Sequence, residues 1–119
     1  MDQETFDYWV TQGYNRIPVA KTILADVETP LSAYMKLAAG PYSFLFESVQ
    51  GGEKWGRYSI IGLPARQRIR VEGKRVTLER DGGAPTGFES EDPLAEVEAQ
   101  HAKFRSAPIE GLPVFHGGL

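Results

Sequence analysis

The sequence predicts an α/β chain of the α+β type, with a largely antiparallel, twisted sheet and two or three helices. Its 119 residues, 41% apolar and 24% charged, suffice for one domain with a single core. Two helix starts are marked by a capping residue followed by proline, at Thr29-Pro30 and Asp92-Pro93. Between them, residues 67–80 alternate apolar and polar side chains as antiparallel strands do.

The first forty residues predict a helix, a strand and a second helix. Residues 5–14 carry apolar side chains at helical spacing, and Asp2 or Thr5 is available as the N-cap. Residues 17–24 contain enough aliphatic side chains to predict a strand. The second helix begins at the Thr29-Pro30 signal and ends before a glycine-proline pair, which cannot continue it.

The middle of the chain predicts four strands. Residues 42–49 are too apolar for a strand with one face in water, so we expect a central strand that is covered on both faces. Residues 57–63 predict the next strand, after a glycine-rich loop. Residues 67–72 and 75–80 predict a hairpin, because Gly73-Lys74 fits a two-residue turn with glycine first.

The last forty residues predict a loop, a helix and an irregular tail. Residues 81–91 are rich in glycine, proline and serine, which is typical of a surface loop. The third helix is expected from Asp92-Pro93 to about residue 105. Residues 106–119 predict no closing element, and their end is apolar where a natural C-terminus is usually polar. We therefore expect residues 1–119 to be one domain of a truncated polypeptide, with a tail leading toward a missing part.

Composition argues against several classes of function. The formal net charge of −3 gives no electrostatic footprint for nucleic acid. The basic cluster near the hairpin is typical of the solvent face of an antiparallel pair; it consists of Arg66, Arg68, Arg70, Lys74, Arg75 and Arg80. The absence of cysteine fits a reducing cytoplasm, and neither a membrane-spanning run nor a targeting segment is recognisable. We therefore expect a cytoplasmic protein without nucleic-acid or membrane partners.

Motifs for catalysis or metal binding are weak. His101 lies in a predicted helix three residues after Glu98, a common surface arrangement, and His116 has no nucleophile motif to accompany it. The glycine pairs lack the spacing of phosphate-binding loops. The acidic residues at 89–92 most simply serve the start of the third helix. The sequence therefore predicts no metal site and no catalytic group.

Glu47 and Ser48 are the most informative polar residues, because they follow an apolar run that predicts a buried strand. Burying an unpaired carboxylate is costly, so Glu47 either points outward or has a cationic partner. Arg57 opens the next predicted strand. A carboxylate, a hydroxyl and a guanidinium at neighbouring strand ends can hold a small zwitterion. On these residues alone, a purely structural explanation is favoured, in which the Glu-Ser pair forms a strand-end turn with the glycines that follow.

These residues also carry a resemblance to a known family. The chain from Glu47 to Ala65, with its stretch GRYSIIGLPA from Gly56 onward, closely resembles the N-terminal region of anthranilate synthase component I. Thr29 to Tyr34 and Leu112 to Leu119 extend the similarity over nearly the whole chain.

The resemblance implies a regulatory region that binds feedback L-tryptophan, with Glu47 and Ser48 matching the family's Glu-Ser strand end and Arg57 a basic position after it. It implies that the complete enzyme makes anthranilate and pyruvate from chorismate and glutamine-derived ammonia, using Mg²⁺ and a glutamine amidotransferase subunit, component II. The catalytic and metal-binding groups would lie in the missing C-terminal region, which also completes the tryptophan pocket. The fragment itself would then have no cofactor and no catalytic activity.

Two other interpretations stay open at this point. The chain could be the corresponding region of aminodeoxychorismate synthase component I, which shares the fold but has a weaker Glu-Ser element. It could also be a separate structural or interaction domain that binds no small molecule.

Overall fold

The computed structural model describes residues 1–47 and 58–113. In these residues three helices and five strands follow one another in this order: α1 (Gln3–Thr11), α2 (Pro30–Leu37), β1 (Phe44–Glu47), β2 (Ser59–Gly62), β3 (Gln67–Glu72), β4 (Arg75–Arg80), β5 (Thr86–Glu89) and α3 (Pro93–His101). The strands form two small antiparallel sheets. The predicted α+β class is therefore confirmed.

Contacts divide the chain into two compact units. The first unit contains Met1–Ile23, Ile69–Thr77 and the chain from Gly87 onward, and the second contains Leu24–Arg68 and Leu78–Thr86. The prediction of a single regulatory domain over residues 1–119, with an irregular tail from residue 106, stays a prediction.

Each helix begins at a polar cap that satisfies backbone N–H groups of its first turn. The Asp2 carboxylate accepts a hydrogen bond from the backbone three residues later, at 2.8 Å, and Asp92 caps α3 in the same way at 3.1 Å. Thr29 and Ser32 form a reciprocal capping box at the start of α2. All three predicted helices are confirmed, although α3 ends at His101, before the expected residue 105.

The smaller sheet pairs β1 with β2 in antiparallel register, with Phe44 opposite Gly62 and Glu47 opposite Ser59. The larger sheet has the order β3-β4-β5, so β4 is central. The predicted hairpin of β3 and β4 is confirmed with its predicted bounds. Gly73 in its turn has φ +61, a left-handed conformation that glycine adopts without a steric penalty.

The predicted strand at residues 17–24 is wrong. An isolated parallel bridge joins the preceding residue, Arg16, to Ser106, but residues 17–24 themselves form no strand. Val19, Ile23 and Leu24 are 68%, 72% and 84% exposed. Aliphatic residues favour a strand only where a neighbouring strand offers hydrogen bonds, and this segment has none among the described residues.

The strand expected at residues 42–49 exists as β1, but its predicted central position is wrong. Among the described residues β1 has one neighbour, β2, and the side chains of Phe44 and Phe46 are 41% and 62% exposed. An apolar run shows that a strand is suited to burial. It does not show which element covers it.

The predicted loop at residues 81–91 contains β5, which the glycine-rich composition concealed. Glycine weakens a strand because it adds no packing side chain. A Cβ at Gly87 would lie 2.5 Å from Nη2 of Arg75, so a side chain at this position would require the guanidinium of the flexible Arg75 side chain to move. That guanidinium forms an ion pair with Glu89 at 3.8 Å.

Candidate functional site

The predicted tryptophan-binding residues are Glu47, Ser48 and Arg57, and the structure describes the first of them. Glu47 is the last residue of β1 and is exposed, directly opposite Ser59, the first residue of β2. Ser48 and Arg57 lie outside the described residues. In the sequence, Ser48 directly follows Glu47, and Arg57 precedes Ser59 by two residues.

The two faces of β1 differ in exposure. Side chains alternate along a strand, so Glu47 shares a face with Leu45, whereas Phe44 and Phe46 occupy the other. Leu45 and its cross-strand partner Ile61 are half-buried. Leu45 and Ile61 are therefore the aliphatic side chains on the face of the sheet that Glu47 shares.

The opposite face of β1 presents two aromatic rings. Phe44 and Phe46 are stacked, with centroids 4.5 Å apart and an angle of 28° between the planes. The Phe44 ring lies over Gly62 across the strand, since a Cβ on Gly62 would be 2.5 Å from Cδ1 of Phe44 and still closer to Cε1 and Cζ. This cross-strand fit selects the observed register of β1 and β2.

Helix α2 packs against both strands of this sheet. Its Tyr34 hydroxyl hydrogen-bonds the Ser43 hydroxyl, just before β1, at 2.8 Å. At the start of the helix, the Glu28 carboxylate accepts bonds from Lys36 and, at 2.6 Å, from Ser32. The hydrogen bond from Lys36 is the main reason that the pKa of the Glu28 carboxyl group is lowered, and the bond from Ser32 contributes less. The Tyr34–Ser43 bond thus joins the helix to the residue before β1, whereas the Glu28 bonds stabilise the helix itself.

Arg68 of β3 departs from the predicted solvent face of the basic cluster. Its side chain is 20% exposed and forms ion pairs with Asp81 at 3.0 Å and Glu79 at 3.2 Å. The hydrogen bond to Asp81 is the main reason that the pKa of Arg68 is raised. Lys74 is also paired, with Glu91 at 2.6 Å. No property of the sequence had distinguished Arg68 from its basic neighbours.

Other places for chemistry are few in the described part of the chain. No group of three or more His, Cys, Asp or Glu side chains is placed to hold a metal ion within residues 1–47 and 58–113. His101 is exposed at the end of α3, and His116 falls outside the described range. Over the same residues, no helix has the length and apolar character needed to cross a membrane.

The first unit contains an open groove of about 540 Å³, and Glu47 is not among the described residues that line it. Trp9 of α1, Pro18 and Leu112 are among these lining residues, and Glu110 is the one charged side chain among those described. This lining is mainly apolar and brings no catalytic pair together.

Comparison with known proteins identifies relatives over the whole chain. Anthranilate synthase component 1 of Pseudomonas putida is 54% identical over 119 residues, which cover 100% of this chain and 24% of that protein. Anthranilate synthase component 1 of Neisseria gonorrhoeae is 44% identical over 119 residues, which again cover 100% of this chain and 24% of that protein. That of Aquifex aeolicus is 40% identical over 111 residues, covering 92% and 22%. The chain thus spans about a quarter of the length of these curated relatives. No family model and no solved structure matches it.

Proposed function

We propose that this chain, which is a homologue of anthranilate synthase component 1 along its whole length, is the part of such an enzyme that binds feedback L-tryptophan. The observation that carries the proposal is the position of Glu47. Its carboxylate is exposed at the end of β1, and in the sequence Ser48 follows it and Arg57 comes two residues before β2.

We propose further that the complete polypeptide converts chorismate and glutamine-derived ammonia into anthranilate and pyruvate, with Mg²⁺ and a glutamine amidotransferase subunit, in the cytoplasm. The identity of 54% to the Pseudomonas putida protein supports this. In this proposal the Mg²⁺ site belongs to the rest of the complete polypeptide; the residues that the structure describes contain no group of side chains placed to hold a metal ion. The chain alone is then a binding module without catalytic activity.

The binding chemistry follows from the ligand. An amino-acid zwitterion that leaves water must recover hydrogen bonds at both of its charges, and bonds to charged groups contribute roughly 1.5–3 kcal/mol each. In this proposal Ser48 and Arg57 bind the carboxylate of tryptophan, and Glu47 accepts from the ammonium or braces Arg57. The indole packs on aliphatic side chains of the sheet, for which Leu45 and Ile61 are the candidates on the Glu47 face.

The test is tryptophan inhibition of the full-length enzyme. Ser48→Ala and Arg57→Ala each remove one polar contact, so the tryptophan concentration for half-inhibition should rise about tenfold or more, which corresponds to roughly 1.4 kcal/mol. Turnover without tryptophan should stay nearly unchanged, because effector and active sites are separate.

A matched control is Arg66→Ala, which removes an exposed guanidinium from the same part of the chain but outside the β1–β2 connection. Its half-inhibition value should equal that of the wild type. If Ser48→Ala and Arg57→Ala behave like this control, these residues are not in the tryptophan site and the Glu-Ser strand end is only structural.

A further inference from the structure

The turn before β1 contains an unusual backbone conformation. Tyr42 has φ +59, which is left-handed, and it is the only non-glycine residue with positive φ in the described part of the chain. An aromatic residue adopts this conformation only where its surroundings compensate the steric cost. The contacts of Tyr42 must therefore hold it in place.

Two contacts do so. The Arg68 guanidinium lies over the Tyr42 ring, 4.0 Å from its centroid. The Tyr42 carbonyl accepts a hydrogen bond from the backbone N–H of Ala65 at 3.1 Å, and the Ala65 carbonyl accepts one from Nη1 of Arg68 at 2.9 Å. Tyr42, Ala65 and Arg68 thus form a closed set of contacts, which we call the Tyr42–Arg68 clamp.

Arg68 is itself held firmly. Its guanidinium also donates to Glu79 at 3.2 Å and to Asp81 at 3.0 Å, both on or just after β4. A planar guanidinium can stack on a ring and donate along its edge at the same time, which an ammonium group cannot do. The clamp therefore fastens the start of β1 to the strand pair β3–β4.

The position of the clamp matters because the β1–β2 sheet is small. It has two strands and four residue pairs, and a two-stranded sheet is marginal in water without further support. A slip of one residue would turn every side chain of β1 to the other face, including Glu47. The clamp closes the end of this sheet that is opposite to the Glu47–Ser59 pair.

We infer that Tyr42 and Arg68 are positioning residues for the tryptophan site: by fixing the start and register of β1, the clamp determines where Glu47 and the connection after it are presented. This inference rests on the proposed function. Neither side chain needs to touch the ligand. Both act through the four residues of chain that lie between Tyr42 and Glu47.

The test again uses the full-length enzyme, measuring the tryptophan concentration for half-inhibition, activity without tryptophan and thermal stability. Arg68→Ala and Tyr42→Ala should raise the half-inhibition value about fivefold, at the low end of site-to-site coupling, and leave activity without tryptophan unchanged. Tyr42→Phe keeps the ring under the guanidinium and should match the wild type. Arg68→Lys keeps the positive charge but removes the planar guanidinium that stacks on the ring. It is measured in place of Arg68→Ala if Arg68→Ala does not fold.

Tyr42→Gly separates positioning from stability. Glycine adopts the left-handed conformation freely, so this variant relieves the backbone cost while it removes the stacked ring. We expect thermal stability close to that of the wild type together with weaker tryptophan inhibition. If Tyr42 and Arg68 contributed only to stability, thermal stability would change and tryptophan inhibition would be unchanged in every folded variant.

Ser48→Ala in the same series distinguishes the two proposals. Ser48→Ala could weaken tryptophan inhibition while Tyr42→Gly and Arg68→Ala (or Arg68→Lys) leave it unchanged. In that case the positioning role of the clamp is overturned and the proposed site stands. If Ser48→Ala and Arg57→Ala leave inhibition unchanged, the site and the clamp's role in it are both overturned.

Discussion

Gly62→Ala should weaken the pairing of β1 with β2, because the Phe44 ring occupies the space that the new methyl group needs. The added Cβ would lie 2.5 Å from Cδ1 of Phe44, and closer to two other ring atoms. Carbon atoms in contact are about 3.5–4.0 Å apart, so the ring has to move by about 1 Å or more. Phe44 is 41% exposed, which lets it swing toward solvent.

The size of the effect follows from three contributions. Overpacking of a close-fitting site typically costs about 1–3 kcal/mol. A ring that swings away avoids part of this cost but loses its stack on Phe46, worth about 0.5–1.5 kcal/mol. Replacing glycine by alanine within a strand returns about 0.5–1 kcal/mol. We therefore expect the free energy of opening this strand pair to fall by about 1 kcal/mol.

Amide hydrogen exchange in the full-length protein measures this opening directly. Segments covering β1 and β2 should exchange about fivefold faster in Gly62→Ala. In a Phe44→Ala background the ring is absent, so the same substitution should slow exchange slightly. Equal acceleration in both backgrounds, or none in the wild-type background, would refute the proposed fit of Phe44 over Gly62.

Three further predictions concern the helices, the first unit and the isolated chain. The bond from Lys36 lowers the pKa of Glu28 in the folded protein, so the ionised Glu28 carboxylate should stabilise α2 fully above the ordinary titration range of glutamate. This stabilisation should be lost as the pH falls through the lowered pKa. Hydrogen exchange of the α2 amides, corrected for intrinsic pH effects, should show the loss in the wild type and not in Glu28→Gln. Asn15→Ala removes the 2.7 Å bonds to the Lys103 carbonyl and from the Arg105 N–H, so these segments should lose about 1 kcal/mol of protection per bond, whereas Asn15→Asp should retain the bond from Arg105. The 119-residue chain alone, given chorismate, Mg²⁺ and ammonia, should give no anthranilate fluorescence above background, and a clear signal would contradict its assignment as a binding module.

Local signals predicted the helices and the hairpin well. At Thr29-Pro30 and Asp92-Pro93 the capping side chain and the fixed φ of proline act within one turn, so the sequence contains the whole cause. The Gly73 turn is equally local. These elements need no information from distant parts of the chain.

The errors and omissions arise from distant contacts. Among the residues that the structure describes, the segment at 17–24 has no partner strand, and its own sequence cannot reveal this. The strand β5 is held by its pairing with β4, which the glycine-rich composition of residues 81–91 does not reveal. Of the candidate site, the sequence placed Glu47 at a strand end correctly. It offered no sign that Tyr42 would be left-handed or that Arg68 would be the cation stacked on it.

The two bonds of the Asn15 side chain have a consequence for how this protein is made. They join residues up to 90 positions apart, and the first unit needs chain on both sides of residues 24–68. Ribosomes add about 5–20 residues per second, so Asn15 waits about 5–20 s for its partner to be synthesised. During that interval the chain around Val19 and Ile23, still largely exposed in the finished structure, has no contact from the C-terminal segments. Vectorial synthesis thus exposes the segment around Asn15 well before the residues that hold it in place are made.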